Sequence, residues 1–430
     1  MKQNIIEEQY PIDFRYDDAE KLGQLLKSRR SVVLVGMKRV GISNFLRFFL
    51  NHREVKDHYI KDTNHLFITV DLNDLVEREI FPFWILTFKR ISDFVEEYVT
   101  DKEIQKRVSL LFLDSIQSQD LFLTIDGIRK SLTLLTENGY KPTLFFIRFD
   151  RIIESATHTF FGNFQGLIDA TDRKLCFVFT SVRPLDTLSS EVFTKHALSV
   201  FADTMYVKPA KKVDVETILG TTVHEYNMNL SPVVNEKLLD LVDGYNQYLQ
   251  FALITLNEQK NELNSENITK ILLSDERILL QSEELLESFS PAEQDVLKKI
   301  LSQSTISPDE KAKADYLFKT GVVHENGVIF SPLFKTFLEE RFLNSKKDNH
   351  VLELSKKEHA LLNYLGKFKN EVCEREEIIE AVWPEAESLG VSDWAIDRLV
   401  ARLRSKLKQQ GSKEEIVTIK TRGYKLIETS

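Results

Sequence analysis

Cysteine is scarce, with only Cys176 and Cys373 in 430 residues. They stand far apart and outside any CxxC spacing. A disulfide framework or thiolate metal site is therefore not expected, and both read as small buried hydrophobes. The nine histidines form no HxxxH or HExxH arrangement, so no metal is expected on them either. No apolar run reaches the roughly 18 residues that a membrane helix needs. The first segment, MKQNIIEEQYPIDFRYDDAEK, is acid-rich without an apolar signal core, so no secretory or transit peptide is expected. A nucleophile-elbow motif, an internal repeat and a long low-complexity tract are also missing. What remains is 42% hydrophobic and 29% charged, the balance of a soluble globular protein of about three domains in a reducing cytoplasm.

The most informative segment is the last, 351–430. VLELSKKEHALLNYLGKFKN, EREEIIEAVW and VSDWAIDRLVARLRSKLKQQ read as three helices, and EEIVTIKTRGYKLIE as a β-hairpin. In the third helix, Ile396, Val400, Leu403 and Leu407 recur at helical spacing. The opposite face carries Trp394, Arg398, Ala401 and Ser405, with Arg402 beside them. From Arg398 to Lys425, nine Lys and Arg residues face only Glu414 and Glu415, a net +7 in a chain of formal charge −9. Such local clustering is the footprint of a nucleic-acid surface. The hairpin strands, Ile416–Lys420 and Tyr424–Ile427, flank a tip at Thr421-Arg422-Gly423. Gly423 there can adopt φ > 0, and Arg422 can reach a minor groove or a phosphate.

LSKKEHALLNYL, REEIIEAVW, VSDWAIDRLVARLRSKL and VTIKTRGYKL follow in order the pattern of the OmpR/PhoB-type winged-helix DNA-binding domain, which 351–430 resembles throughout. The resemblance implies sequence-specific binding of double-stranded DNA, with 392–409 as recognition helix and 421–424 as wing. Arg398 and Arg402 would contribute base-edge or nearby phosphate contacts. Arg404, Lys406 and Lys420 would serve phosphates, with Thr421, Arg422 and Tyr424 in the wing. Trp394 would touch a thymine methyl or sugar, or pack on the preceding loop. Arg398 and Trp394 are not the usual family residues, so the target sequence does not carry over. By the same resemblance, the loop 383–391 would face RNA polymerase.

The first 343 residues read as a multidomain α/β plus α body. Apolar strands at Val32–Val35, Leu66–Leu72, Thr143–Asp150 and Leu175–Ser181 alternate with helical patterns, which implies a parallel sheet. Phe45, Phe48, Phe49, Phe145 and Phe146 sit at core spacings. After Pro209 the pattern turns helical, and 286–343 reads as a small winged helix with Gly327 in its hairpin. The expected organisation is a P-loop domain over 1–205, a helical lid over 206–285, the small winged helix, a polar linker over 344–350, and the basic domain. The acid clusters Glu283-Glu284 and Glu374-Glu376-Glu377 read as solvated helix faces.

Gly36-Met37-Lys38-Arg39-Val40-Gly41-Ile42-Ser43 matches GxxxxGK[ST] except at the lysine, which is Ile42. In the intact motif, backbone N–H groups cradle phosphates, Lys reaches the β- and γ-phosphates, and Ser or Thr ligates Mg²⁺. Asp150 ends a candidate Walker B strand, followed by Arg151 where many ATPases carry a catalytic Glu. Together with DLNDL and FTSVRP, this resembles a degenerate STAND-type, AAA-like P-loop ATPase module. The resemblance implies ATP or ADP with Mg²⁺ at Gly36, Lys38, Arg39, Gly41, Ser43 and Asp150. Without the lysine and the glutamate, no turnover and no catalytic residue are expected. A vestigial loop that binds nothing fits the residues equally well.

The expected function is a DNA-binding transcriptional regulator with a hydrolysis-inactive STAND-like module that acts as sensor, clamp or homo-oligomerisation platform. Two other classes fit parts of the chain. One is a nucleotide-driven ATPase switch with DNA as effector. The other is a protein-interaction scaffold.

Overall fold

The computed structural model describes residues 5–188, 202–258, 265–343, 354, 356–383, 393–419 and 422–428. It divides into two compact units, Met1–Phe337 and Leu338–Ser430. The P-loop and lid segments thus share the first unit with the small winged-helix segment as far as Phe337. The expected linker at 344–350 lies outside the described residues.

In the first unit, β1 (Ser31–Val35), β2 (His65–Asp71), β3 (Lys141–Ile147), β4 (Cys176–Ser181) and β5 (Ala202–Tyr206) form one parallel sheet in the order β2-β3-β4-β1-β5. Every residue of β1 and β4 is buried, as strands covered on both faces must be. Parallel pairing requires crossovers. The helices α1 (Tyr16–Lys27), α2 (Ile42–Asn51), α3 (Ile80–Tyr98), α4 (Lys102–Ser118), α5 (Leu121–Glu137) and α6 (His158–Ala170) alternate with the strands. Much of the core is aromatic. Phe146 lies 5.2 Å from Phe83 and 5.5 Å from Phe179, centroid to centroid, and the five phenylalanines singled out by spacing are all fully buried. The edge strand β5 escaped the sequence reading, because ADTMY is only partly buried and carries little apolar signal.

The helical continuation is α7 (Lys212–Glu225), α8 (Pro232–Val242), α9 (Asn246–Glu258), α10 (Ser265–Ser274) and α11 (Glu276–Glu287). The long apolar stretch after Pro232 breaks between α8 and α9 at Asp243-Gly244, both with positive φ. A Cβ on Gly244 would stand 2.1 Å from the Ala210 carbonyl oxygen, so glycine is required there. Helices α12 (Pro291–Leu301), α13 (Pro308–Lys313), α14 (Asp315–Lys319) and α15 (Pro332–Phe342) follow. The hairpin expected around Gly327 reduces to one antiparallel bridge, Val323 to Ile329.

These helices are tied to the sheet by polar contacts that the linear sequence does not announce. Arg183, just beyond β4, forks onto Glu293 at 2.7 Å to each carboxylate oxygen and lies 3.7 Å over the Tyr316 ring. Glu293 also accepts from the Ser290 N–H at 2.8 Å, closing a capping box at the start of α12. Asp243, at the α8 break, accepts from the Ser331 N–H at 3.0 Å and meets His324 at 2.7 Å.

The second unit has α16 (Lys356–Lys367), the two-residue strand β6 (Cys373–Glu374), α17 (Arg375–Val382), α18 (Asp393–Gln409), β7 (Glu414–Ile419) and β8 (Gly423–Glu428). The hairpin is longer than the sequence suggested. Its sheet also has a third strand, in the order β6-β8-β7. Leu361, Leu365, Ile378, Ile396, Leu403 and Leu426 lie in one buried cluster. This is a winged helix with one tightly filled core.

Candidate DNA-binding surface and nucleotide loop

Helix α18 is held by the stripe that its periodicity implies. Ile396, Val400, Leu403 and Leu407 are buried, and Leu399 joins them. At about 100° per residue the other side must face outward. There Ala401 and Lys408 are exposed and Arg398 is half-buried. A small residue flanked by cations lets a helix approach the floor of a groove. Trp394 and Ser405 lie on this helix, but their side chains fall outside the described residues, as do Lys420 and Thr421. Arg422 sits in the turn between β7 and β8 with its side chain 60% exposed, 3.5 Å from Glu374. Its N–H donates to the Ile419 carbonyl at 3.1 Å.

Four other basic or wing residues have internal partners. Glu358 on α16 is fully buried, and its carboxylate receives Arg402 at 3.1 Å and Lys406 at 2.6 Å. Those two cations flank the buried stripe and compensate a charge that would be costly to bury alone. Arg404 donates to the Ile416 carbonyl at 2.6 Å and to the Thr418 hydroxyl at 2.7 Å, which clamps β7 against α18. Tyr424 was expected to stand in the wing, but its ring is only 2% exposed and belongs to the core. Its hydroxyl donates to Asp397, and Arg375 donates to that hydroxyl at 3.2 Å. Burial, together with Asp397, pushes the hydroxyl up to about 12, so it stays protonated at neutral pH.

Gly423 differs from expectation in its reason for being glycine. It is an extended β8 residue and does not adopt positive φ. A Cβ there would lie 2.0 Å from the Cys373 carbonyl oxygen. The requirement is the close approach of β6, a strand too short for sequence patterning to register.

In the first unit, the loop Gly36–Gly41 joins β1 to α2, and Gly41 caps α2 with φ 112°. This is the strand-loop-helix context that a phosphate loop needs. Ser43 is exposed at the start of α2. Around the loop, however, the charges are engaged. Lys38 reaches Glu284 at 2.7 Å and Arg39 reaches the same carboxylate at 3.2 Å. Glu284 is 6% exposed, so it is a buried partner of the loop and not the solvated face that its neighbourhood of acids suggested. The Tyr245 hydroxyl donates to the Lys38 carbonyl at 2.6 Å and accepts from Gln281 at 3.0 Å. Arg39 itself has φ 61°. The Ile42 methyl end lies 3.1 Å from where a Gly36 Cβ would be, so aliphatic carbon fills the loop beside its first glycine.

The acid side also departs from expectation. Strand β3 ends at Ile147, not Asp150, and the residue at its carboxyl end is Arg148 with φ 60°. Asp150 lies in a 3-10 helix, Phe149–Ser155. Burial raises its carboxyl above the usual range, against the pull of Arg151, Lys38 and Arg148. Arg148 pairs with Asp71 at the end of β2, with Nε 3.1 Å from one oxygen, and Arg151 donates to Asn73. The sheet edge next to the loop thus carries two arginines tied to the β2–α3 turn. Arg148 went unnoticed because FFIRFD reads as one unbroken strand, whereas the chain turns left-handed at the arginine. Among the described residues, no group of three or more His, Cys, Asp or Glu side chains is placed to hold a metal ion. No helix among them is long and apolar enough to cross a membrane.

Comparison with known proteins bears on the two units separately. Residues 349–426 match the family described as "Transcriptional regulatory protein, C terminal". The response regulator ArlR from two strains of Staphylococcus epidermidis is 34% identical over 77 residues, 18% of this chain. The chain spans 34% of the length of these relatives. Among solved structures, a Walker-type ATPase of Pyrococcus abyssi aligns at TM-score 0.47 and 19% identity over 76% of this chain and 95% of its own. The ORC2 protein of Aeropyrum pernix, in ADPNP-ADP complexes, aligns at TM-score 0.47 and 12% identity over 81% and 99%.

Proposed function

We propose that this chain, whose C-terminal unit carries an OmpR/PhoB-type domain, is a sequence-specific double-stranded DNA-binding transcriptional regulator with an N-terminal P-loop body that does not hydrolyse nucleotide. One observation carries the DNA-binding half. The outward face of α18 presents Arg398, Ala401 and Lys408, and Arg422 stands at the exposed hairpin tip. In this reading α18 lies in the major groove with Arg398 at base edges, and Arg422 enters the adjacent minor groove or meets a phosphate. Arg402, Lys406 and Arg404 serve chiefly to hold the domain together. RNA polymerase contact through 383–391 belongs to the same proposal, and 384–391 lie outside the described residues.

Selection of bound DNA from a random pool tests this directly. Arg398→Ala is expected to weaken the selected site by about 1–3 kcal/mol and to relax one base position. Arg422→Ala, if it meets phosphate, is expected to weaken all sequences alike and lower the salt slope by about one. Equal affinity of wild type and the double variant for the selected site would sink the reading and favour a protein-binding scaffold.

The absence of turnover is supported by chemistry at the loop. Ile42 removes the lysine, Arg148 and Arg151 occupy the acid edge, and Glu284 already engages Lys38 and Arg39. Stabilisation of the transferring phosphoryl group therefore lacks its usual parts. The expected result is no phosphate release from ATP above buffer in the presence of Mg²⁺, with or without the selected DNA. Turnover abolished by Asp150→Ala would overturn it. ADP or ATP bound without turnover remains within the proposal, because the Gly41-capped helix start still presents N–H groups. Calorimetric titration of wild type against Glu284→Gln, which loosens the hold on both loop cations, measures whether that competition matters.

A further inference from the structure

We propose that helix α4 is a self-association surface, on which a second copy of this chain docks its own α4 antiparallel to the first. Helix α4 turns Ile104 and Val108 inward, where they are buried. Its outer side nevertheless carries Leu110 at 51% and Leu113 at 50% exposure, and the first turn of α5 adds Phe122 at 71%. Large apolar side chains clustered this densely on an outer surface mark an interaction site.

Charge on the same stripe selects the occupant. Lys106, Leu110 and Asp114 follow one another at i, i+4, i+8 and so share a face, with Leu110 midway. The span from Lys106 to Asp114 is about 12 Å. Lys106, Arg107 and Asp114 are exposed, and none of them makes an ion pair among the described residues. A two-fold axis through Leu110 brings Leu110 onto its own counterpart. It places Lys106 of each copy against Asp114 of the other, and lays the aliphatic stem of Arg107 over the partner's Leu113. The stripe is complementary to itself in the antiparallel sense, and in a parallel pairing it would set like charges together. Self-association of the body would bring two DNA-binding units to one DNA molecule, although the contact itself does not depend on the DNA-binding reading.

Sedimentation velocity of the full chain without DNA tests the proposal by charge exchange. Wild type is expected to show a monomer–dimer equilibrium in the micromolar range. Lys106→Glu and Asp114→Lys are each expected to weaken it about tenfold, since each turns two symmetric attractions into repulsions. Mixing the two single variants restores both pairs and is expected to yield a heterodimer of near wild-type affinity. That recovery also shows that both variants are folded. Leu110→Glu is expected to leave a monomer. A wild type that stays monomeric across the micromolar range, or single variants that dimerise as wild type does, would overturn the proposal. DNA binding by such a monomer would leave the regulator reading untouched.

Discussion

Replacing both Arg402 and Lys406 with methionine is expected to destabilise the C-terminal unit by about 3–5 kcal/mol, because it takes two cations away from a buried carboxylate. Glu358 is 0% exposed and receives Arg402 and Lys406 at 3.1 and 2.6 Å. Methionine keeps the bulk and removes the charge, so the loss reports the electrostatics and not a cavity. Stability of winged-helix size is of the order of 5–15 kcal/mol, so a cost of this size removes a large share of it. Hydrogen exchange of the α18 amides, Ile396–Leu407, measures it within the full chain. Protection equal to wild type would show that the carboxylate has found other compensation. Loss of DNA binding in an Arg402 or Lys406 variant reports unfolding unless stability is measured beside it. Arg422, by contrast, faces a half-exposed Glu374, so its truncation uncovers no buried charge.

Gly423→Ala is expected to be about as damaging as overpacking at the upper end of its usual range, some 3 kcal/mol. The added carbon would sit 2.0 Å from the Cys373 carbonyl oxygen and 3.1 Å from the Glu374 Cα. Both are backbone atoms, so no side-chain rotation relieves the clash. Relief requires β6 and β8 to separate, which breaks the pairing of Cys373 with Tyr424 and moves the Tyr424 ring out of the core. Thermal unfolding followed by the amide protection of β8 checks this. Gly327→Ala in the first unit is the control for positive φ without crowding. It has φ 80° and nothing within 4 Å of its added carbon, so its cost is expected to be limited to backbone strain of about 1–2 kcal/mol.

Much of the second unit was legible in sequence because its signals are local. The stripe Ile396, Val400, Leu403 and Leu407, and the order of helices and hairpin, all reside within single elements whose periodicity dictates which side is buried. The sign of a side chain's charge is equally local, which is why the positive tally over Arg398–Lys425 was available. Its destination was not. Arg402 is opposed by an acid 44 residues earlier, and Arg404 by carbonyl and hydroxyl oxygens of β7. A count of charges treats these cations like Arg422, although only the last stands largely in solvent.

The same division runs through the first unit. That β1 runs into a glycine-bounded loop and then a helix, and that Ile42 stands where a lysine would, follows from adjacent residues alone. Strand order, the buried seat of Glu284 beneath Lys38 and Arg39, and the arginine at the end of β3 come from contacts between distant segments. Periodicity carries no record of such contacts. The sequence by itself determined the helices and the central strands and which face of each is apolar, because those depend on neighbours within a few residues, whereas the edge strand β5 and the two-residue β6 carry too little local pattern to register. Only the tertiary structure decided which cations are consumed internally and which reach outward, because a buried carboxylate binds whatever the fold brings within about 3 Å.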